Sequence, residues 1–108
     1  MAVVNRFDVF LVDLDPQPTG DPKNTRPAVI ISPDEMNRHV QTVLIAPLAS
    51  VRTHYPTRVQ VEFLNDRRFI VLDQITSVDK QRLAKKIGEI DGPTRSKTIE
   101  VLAELFAE

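Results

Sequence analysis

The stretch Asn24-Thr25-Arg26-Pro27-Ala28-Val29-Ile30-Ile31-Ser32 joins a charged residue to an unbroken apolar run. The run from Ala28 to Ile31 lacks the polar–apolar alternation of a half-buried strand, so it predicts a short strand that is covered on both faces. Pro27 has no backbone donor, which a strand tolerates at its first residue. We therefore expect the strand to begin at Pro27, with Arg26 at the point where a loop enters the core.

Arg26 suits two roles at this position. Its guanidinium stays charged and offers a planar fork of donors to a phosphate or a carboxylate. Alternatively, Arg26 forms a surface ion pair with a nearby Asp. Both interpretations are compatible with this residue taken alone.

The composition is typical of one globular domain. The chain has 108 residues, of which 42% are hydrophobic and 27% charged, and we assign residues 1–108 to a single domain. It contains no cysteine, which favours the reducing cytoplasm, and it has no apolar run that approaches the length of a membrane span. With two histidines and no cysteine, we expect no transition-metal site and no cofactor.

The charge distribution is more informative than the net charge of −1. No Asp or Glu occurs from Met36 to Val61, and this window contains five Arg and His residues: Arg38, His39, Arg52, His54 and Arg58. A local positive surface can bind phosphate even when the whole protein is slightly acidic. The alternative is a chance clustering in a balanced sequence.

The pattern along the chain is mostly that of strands. The predicted strands are residues 7–14, with Phe7, Val9 and Leu11 on one face, then 28–31, 42–46 ending at Pro47, 57–64, 69–74 and a weak strand at 87–90. Val59, Val61 and Phe63 are predicted to face the core. Residues 65–68 predict a tight turn, and the Pro- and Gly-rich segment 15–25 predicts a long loop.

Three helical segments are predicted between and after the strands. Ser32, Pro33 and Glu35 have the spacing of a capping box before a short helix that ends near Arg38. Asp79 is predicted to cap another short helix. A long C-terminal helix follows Gly92 and Pro93, with Ile99, Leu102, Ala103 and Phe106 on its inner face. Short strands followed by one long helix predict a mainly β fold, a small barrel or curled sheet packed by that helix.

Five segments in order resemble the MazF/PemK-type toxin endoribonucleases. They are residues 10–16 (FLVDLDP), 25–32 (TRPAVIIS) with Asn37, 46–50 (APLAS), 55–59 (YPTRV) and 72–83 (LDQITSVDKQRL). The resemblance implies an SH3-like small barrel of the CcdB/PemK/MazF type with a C-terminal helix, which forms a homodimer. It also implies metal-independent cleavage of single-stranded RNA at a short sequence, leaving a cyclic phosphate and a 5′-hydroxyl. The implied partner is a cognate antitoxin whose acidic segment lies across a basic groove.

The resemblance also implies roles for individual residues. Arg26 matches the catalytic arginine of the family, and Asp73-Gln74 matches an acidic residue followed by Gln at the end of a strand. The predicted catalytic residues are Arg26, Ser50 and Asp73: two donors to the phosphate, and a carboxylate that orients or deprotonates. Asp73 is alternatively a structural partner of Arg26. The predicted RNA-binding residues are Lys23, Arg52, His54, Arg58 and Gln74.

The sequence departs from the family pattern at two positions that matter here. The family usually has Thr at the position of Ala49, where only the neighbouring Ser50 offers a hydroxyl, and it commonly has Gly at the position of Phe7. Two other functions therefore stay open. One is a gyrase poison of the CcdB type, although the sequence lacks the Trp on which that activity depends. The other is a catalytically weak module that binds RNA or the antitoxin.

Ala49 and Ser50 give the first testable prediction. We expect Ser50 to supply the hydroxyl that Ala49 lacks, so Ser50→Ala should lower single-turnover RNA cleavage by a factor on the order of 10² to 10³, the effect of losing one donor to a developing charge. Ala49→Thr should then gain nothing. Faster cleavage by Ala49→Thr together with near-normal cleavage by Ser50→Ala would instead place the missing donor at position 49.

Overall fold

The computed structural model describes residues 3–15, 24–50 and 55–107. The strands are β1 (Asp8–Asp13), β2 (Thr25–Ile30), β3 (Thr42–Ala49), β4 (Arg58–Phe63), β5 (Asp66–Val71), β6 (Thr76–Asp79) and β7 (Leu83–Glu89). The helices are α1 (Asp34–His39) and α2 (Gly92–Leu105), and short 3-10 turns occur at Leu72–Gln74 and Lys80–Arg82. This is the mainly β fold with a C-terminal helix that the sequence predicts.

One curled sheet contains all seven of these strands. Its order is β4-β5-β3-β2-β1-β7, with β6 paired to β3 beside β5. The first half of β3 pairs with β6 and its last two residues pair with β5, so the strand changes partner near Pro47. The sheet curls so far that its two outer strands, β7 and β4, approach each other. A Cβ at Gly88 of β7 would lie only 2.7 Å from the ring of Phe63 in β4, so glycine at position 88 allows this close approach.

The core consists of two apolar clusters. The larger cluster includes Val9, Val29, Leu48, Ile70 and Val101, so α2 packs against this face of the sheet. The smaller cluster comprises Val4, Phe10, Val12, Ala28, Ile30, Val43 and Ile45. Adjacent residues of β2 contribute to different clusters, which confirms that this apolar run is covered on both faces. Val59, Val61 and Phe63 are buried as predicted.

Prolines and turns lie differently from the prediction. Strand β2 begins at Thr25, and Pro27 lies inside it opposite Leu11. Because β2 pairs with β3 only from Ala28 to Ile30, Pro27 lies outside that ladder, where a missing donor is tolerated. Strand β3 likewise continues through Pro47 to Ala49. The hairpin between β4 and β5 turns at Leu64-Asn65, both with positive φ, so the returning strand begins at Asp66.

The helix termini also correct the sequence prediction. Pro33 is the N-cap of α1, and no side chain caps it, because the buried Ser32 hydroxyl instead donates to Asn37 Oδ1 at 2.5 Å and accepts from Leu44 N. Asp91 rather than Gly92 caps α2. Asp79 accepts from Gln81 N, as a capping residue should.

The inner face of α2 differs from the predicted one. Its buried residues are Thr98 and Val101, with Leu102 packed against the larger cluster, whereas Ile99 and Phe106 are 41% and 76% exposed. The helical spacing of apolar residues identified the helix correctly. Ile99 and Phe106 share that spacing, but they lie on a face of α2 that the sheet does not cover.

Phe7 is held in a left-handed backbone conformation with φ of 72°. Its N–H donates to Ile30 O at 2.8 Å, and its carbonyl accepts from Ile90 N at 3.0 Å. Its ring is buried in the larger cluster. A bulky residue at this φ is strained, so burial of the ring must offset a cost of about 1–2 kcal/mol.

Phe7 therefore gives a prediction about stability. Phe7→Ala and Phe7→Gly both lose the buried ring, at a cost of about 3–5 kcal/mol, but only the glycine variant relieves the strain. We expect Phe7→Gly to be more stable than Phe7→Ala by about 1 kcal/mol in urea unfolding.

Val29 is the matched control, since it is fully buried in β2 and its pairing with β1 and with β3 has no register shift. There the order should reverse, with Val29→Ala more stable than Val29→Gly, because glycine has only its entropic cost in a regular strand. The same order of stability at both positions would show that the backbone of residue 7 is unstrained.

Candidate functional site

Arg26 is an exposed residue of β2, opposite Val12 of β1. It is not in a loop as predicted, because the pairing of β1 with β2 continues to Thr25. One guanidinium nitrogen donates to Thr25 O at 2.9 Å. A guanidinium carries five N–H donors, so this geometry leaves Arg26 able to bind an anion from solvent.

Ser50 lies at the same end of the sheet as Arg26. The pairing of β2 with β3 runs from Ile30 and Ile45 to Ala28 and Pro47. Arg26 in β2 and Ser50, which follows β3, both lie beyond the Ala28 end of this ladder. Ser50 is exposed directly after β3, whereas Ala49 is half-buried. The strand pairing thus places these two predicted donors at the same end of the sheet.

Asp73 belongs to a different group of side chains. It lies in the 3-10 turn after β5, where its Oδ1 accepts from Thr57 Oγ1 at 3.1 Å and from Arg58 Nε at 3.3 Å. Its ion-pair partner is thus Arg58, and not Arg26, which the sequence analysis gave as the alternative role of Asp73. The hydrogen bond from Arg58 holds the pKa of the Asp73 carboxyl below its ordinary value, assisted by the one from Thr57.

Strand direction separates Asp73 from Ser50. Ala49 of β3 pairs with Phe69 of β5, and these strands are antiparallel. Ser50 follows Ala49 and Asp73 follows Phe69 by four residues, so they lie in opposite directions from this pair. Within the described ranges, no hydrogen bond joins Arg26, Ser50 and Asp73 to one another.

Two of the five predicted RNA-binding residues, Arg58 and Gln74, lie among the described residues. Arg58 lies in the group around Asp73, and the exposed Gln74 follows Asp73 directly. Lys23, Arg52 and His54 lie outside the described residues.

Tyr55 is a member of the Asp73 group that the predicted RNA-binding residues do not include. The guanidinium of Arg58 lies 4.5 Å from the centre of the Tyr55 ring, and Arg58 N donates to Tyr55 O at 3.0 Å. The available signal was the short spacing of an aromatic residue, Thr and Arg in Tyr55-Pro56-Thr57-Arg58, directly before an alternating strand.

A groove of about 470 Å³ lies beside Arg58, between β4 and α2. The residues that line it are Pro56, Arg58, Val59, Gln60, Pro93, Thr94, Lys97, Val101 and Glu104. Its volume is within the range of sites that hold small ligands.

The described ranges contain neither a grouped set of metal ligands nor a membrane-spanning helix. Outside the gaps at 16–23 and 51–54, no three or more His, Asp or Glu side chains are grouped as metal ligands. No helix in the described part of the chain is long and apolar enough to cross a membrane.

The sequence and the fold are similar to those of known proteins. Residues 5–106 match the model of the PemK-like, MazF-like toxin of type II toxin–antitoxin systems. The chain is 34% identical to the endoribonuclease MazF of Staphylococcus epidermidis over 105 residues, which cover 92% of this chain and 85% of that protein. It is 33% identical to the endoribonuclease EndoA of Bacillus subtilis over 107 residues, 93% of this chain and 91% of that protein.

A solved structure is similar along nearly the whole chain. It is an endoribonuclease in complex with its cognate antitoxin from a mycobacterial species, with a TM-score of 0.76 and 25% identity, and the match covers 96% of this chain and 93% of that one. The curled sheet with one C-terminal helix is therefore the fold of these proteins.

The contact between Arg58 and Asp73 predicts a change in titration. Arg58→Gln should raise the pKa of Asp73 toward its ordinary value of 3.8, because the largest cause of the lowered pKa is removed. In the wild type a lowered pKa stabilises the fold above the unfolded pKa, and this stabilisation is lost as the pH falls through the folded pKa. As the pH falls, protonation of Asp73 should thus cost Arg58→Gln less stability than it costs the wild type.

Carboxyl NMR titration measures this change, with Asp79 as the internal control. The pKa of Asp79 is also lowered, chiefly by the backbone N–H of Gln81, and Arg58 takes no part. A pKa of Asp73 that stays low in Arg58→Gln, or one that changes equally for Asp79, would contradict the assignment.

Proposed function

The chain belongs to the PemK-like, MazF-like toxin family of type II toxin–antitoxin systems, and we propose that it cleaves single-stranded RNA at a short recognition sequence without a metal ion. Its activity is that of a toxin endoribonuclease. The observation that carries this conclusion is the match of residues 5–106 to the family, together with two endoribonucleases of 34% and 33% identity along nearly the whole chain.

The proposed reaction is attack of a ribose 2′-oxygen on the adjacent phosphorus. The bond from phosphorus to the 5′-oxygen breaks, which leaves a 2′,3′-cyclic phosphate and a 5′-hydroxyl, and the proton lost by the 2′-hydroxyl is balanced by the one that the 5′-oxygen gains. Charge develops on the phosphoryl oxygens, so preorganised donors lower the barrier. Arg26 and Ser50, at the same end of the sheet, are the donors that we assign to this task.

Asp73 suits an orienting role better than the role of general base. An efficient base has a pKa near the working pH, whereas the contact with Arg58 lowers the pKa of this carboxyl. The same contact fixes the direction of the Arg58 side chain, which is only 12% exposed. We therefore assign Asp73 as the residue that positions Arg58, which in turn binds RNA.

The partners follow from family membership and from the surface of α2. We propose a cognate antitoxin as the protein partner, since the similar mycobacterial structure contains one. We also propose a homodimer in the cytoplasm, where the RNA substrate is found. The exposed Ile99 and Phe106 form an uncovered apolar stripe on α2 that such a dimer is suited to bury.

The two alternative functions differ in their support. Both relatives described above are named endoribonucleases, which favours RNA cleavage over gyrase poisoning. The catalytically weak module stays a separate possibility because the half-buried Ala49 offers no hydroxyl. Cleavage of a long RNA in EDTA distinguishes the endoribonuclease from the other two functions, and binding of that RNA without cleavage distinguishes the weak module from a gyrase poison.

Arg26 gives the prediction for this function. Wild-type protein should cut a long RNA in EDTA, and Arg26→Ala should cut it more slowly by a factor on the order of 10² to 10³. Arg26→Lys should recover little, because a point charge lacks the guanidinium fork.

Arg67→Ala is the matched control, since Arg67 is an exposed arginine at the start of β5 and should leave cleavage unchanged. Near-normal cleavage by a folded Arg26→Ala variant would remove Arg26 from the mechanism. Wild-type cleavage that stops in EDTA and returns with Mg²⁺ would overturn the metal-independent reaction.

A further inference from the structure

Tyr55 presents an aromatic ring to solvent from a fixed position. The side chain is 48% exposed, yet its backbone is held by the hydrogen bond from Arg58 N to Tyr55 O at 3.0 Å. The Arg58 guanidinium lies 4.5 Å from the ring centre. Such a ring is a surface on which another planar group can stack.

Arg58 is held on its other side by Asp73 and the strand pairing. Its Nε donates to Asp73 Oδ1 at 3.3 Å, and the same oxygen accepts from Thr57 Oγ1 at 3.1 Å. The 3-10 turn that carries Asp73 is tied to this segment by the bond from Leu72 N to Thr57 O at 3.2 Å. The guanidinium is therefore placed before any ligand arrives, which lowers the entropic cost of binding.

The groove between β4 and α2 begins at these residues. Pro56 and Arg58 line one wall, and Thr94 and Lys97 of α2 line the other. Lys97 is an exposed cation whose 3.8 Å pair with Glu100 is of the weak surface kind. An aromatic ring thus adjoins a groove that has a cation on each wall, and the acidic residue Glu104 also lines the α2 wall.

We propose that these residues form a nucleotide subsite, in which Tyr55 stacks on one base of the RNA and Arg58 and Lys97 bind the adjoining phosphate in the groove. The proposal rests on the proposed function, since it assigns the subsite to the same RNA substrate. Unpaired bases stack on aromatic side chains and on guanidinium planes, and cations follow the phosphates. The subsite lies on the Asp73 side of the sheet, so it holds a nucleotide that flanks the cleaved bond.

Binding is tested with a single-stranded RNA whose riboses are 2′-O-methylated, because this RNA cannot be cut by 2′-oxygen attack. Tyr55→Leu should weaken its binding about 5- to 100-fold, the usual effect of losing one stacked base. Tyr55→Phe and Tyr55→Trp keep an aromatic plane and should bind close to wild type. Because leucine keeps an apolar side chain at this half-exposed position, thermal unfolding of Tyr55→Leu should match that of the wild type.

Lysine substitutions test the phosphate contact. Lys97→Gln should reduce the slope of log affinity against log salt by about 0.7, the value for one phosphate contact on a single strand. Lys85→Gln, at an exposed position of β7, is the matched control and should leave the slope unchanged. Equal slopes in wild type and Lys97→Gln would remove α2 from the subsite.

The outcomes separate this inference from the proposed function. If wild type cuts unmodified RNA but Tyr55→Leu binds the methylated RNA as tightly as wild type does, the subsite is wrong and the endoribonuclease stands. If wild type cuts no RNA but binding still depends on an aromatic residue at 55, the subsite stands and the cleavage proposal falls. No binding by wild type, or a change in oligomeric state alone in Tyr55→Leu, overturns the subsite.

Discussion

The burial of β2 on both of its faces constrains the rest of the molecule. Val29 belongs to the larger apolar cluster and Ile30 to the smaller one, and both are fully buried. Such a strand leaves no room for polar side chains along its middle. The groups able to bind a substrate are therefore displaced to strand ends and edges, which is where Arg26, Ser50 and Asp73 lie. Function at the periphery follows from a core that separates the sheet into two covered faces.

Local patterns predicted the elements of this fold well, because each of them depends on a few neighbouring residues. The alternation of Val59, Val61 and Phe63 needed only one buried face, and the pattern after Pro93 needed only one helix. The inner face of α2 was predicted wrongly because Ile99 and Phe106 have helical spacing too, and only the sheet decides which stripe is covered. Pro27 and Pro47 were placed at strand ends because a single sequence does not show which edge of a strand has a partner.

The candidate site shows the same limit at the level of side chains. Sequence patterns selected Arg26, Ser50, Asp73 and Arg58 as chemically suitable groups. They did not show that Asp73 pairs with Arg58, because this contact depends on how β4 and β5 align 15 residues apart in the chain. The substitution of the family's glycine by Phe7 is a similar case. Its meaning emerges only from the positive φ, which explains why a glycine suits the position and what the buried ring must offset.

A carboxylate beside the proposed RNA-binding surface needs an explanation, since a free negative charge there repels phosphate. The negative charge of Asp73 is neutralised by its ion pair with Arg58. The same pair reduces the long-range attraction that Arg58 exerts on phosphate groups. What remains is a guanidinium of defined orientation with an aromatic ring against it. Attraction of this kind acts at contact distance and depends on planar geometry, so it discriminates among ligands more than it attracts them. In the proposed subsite, Tyr55 then recognises an unpaired base, Arg58 holds the adjoining phosphate at contact distance, and cations elsewhere on the surface supply the longer-range attraction.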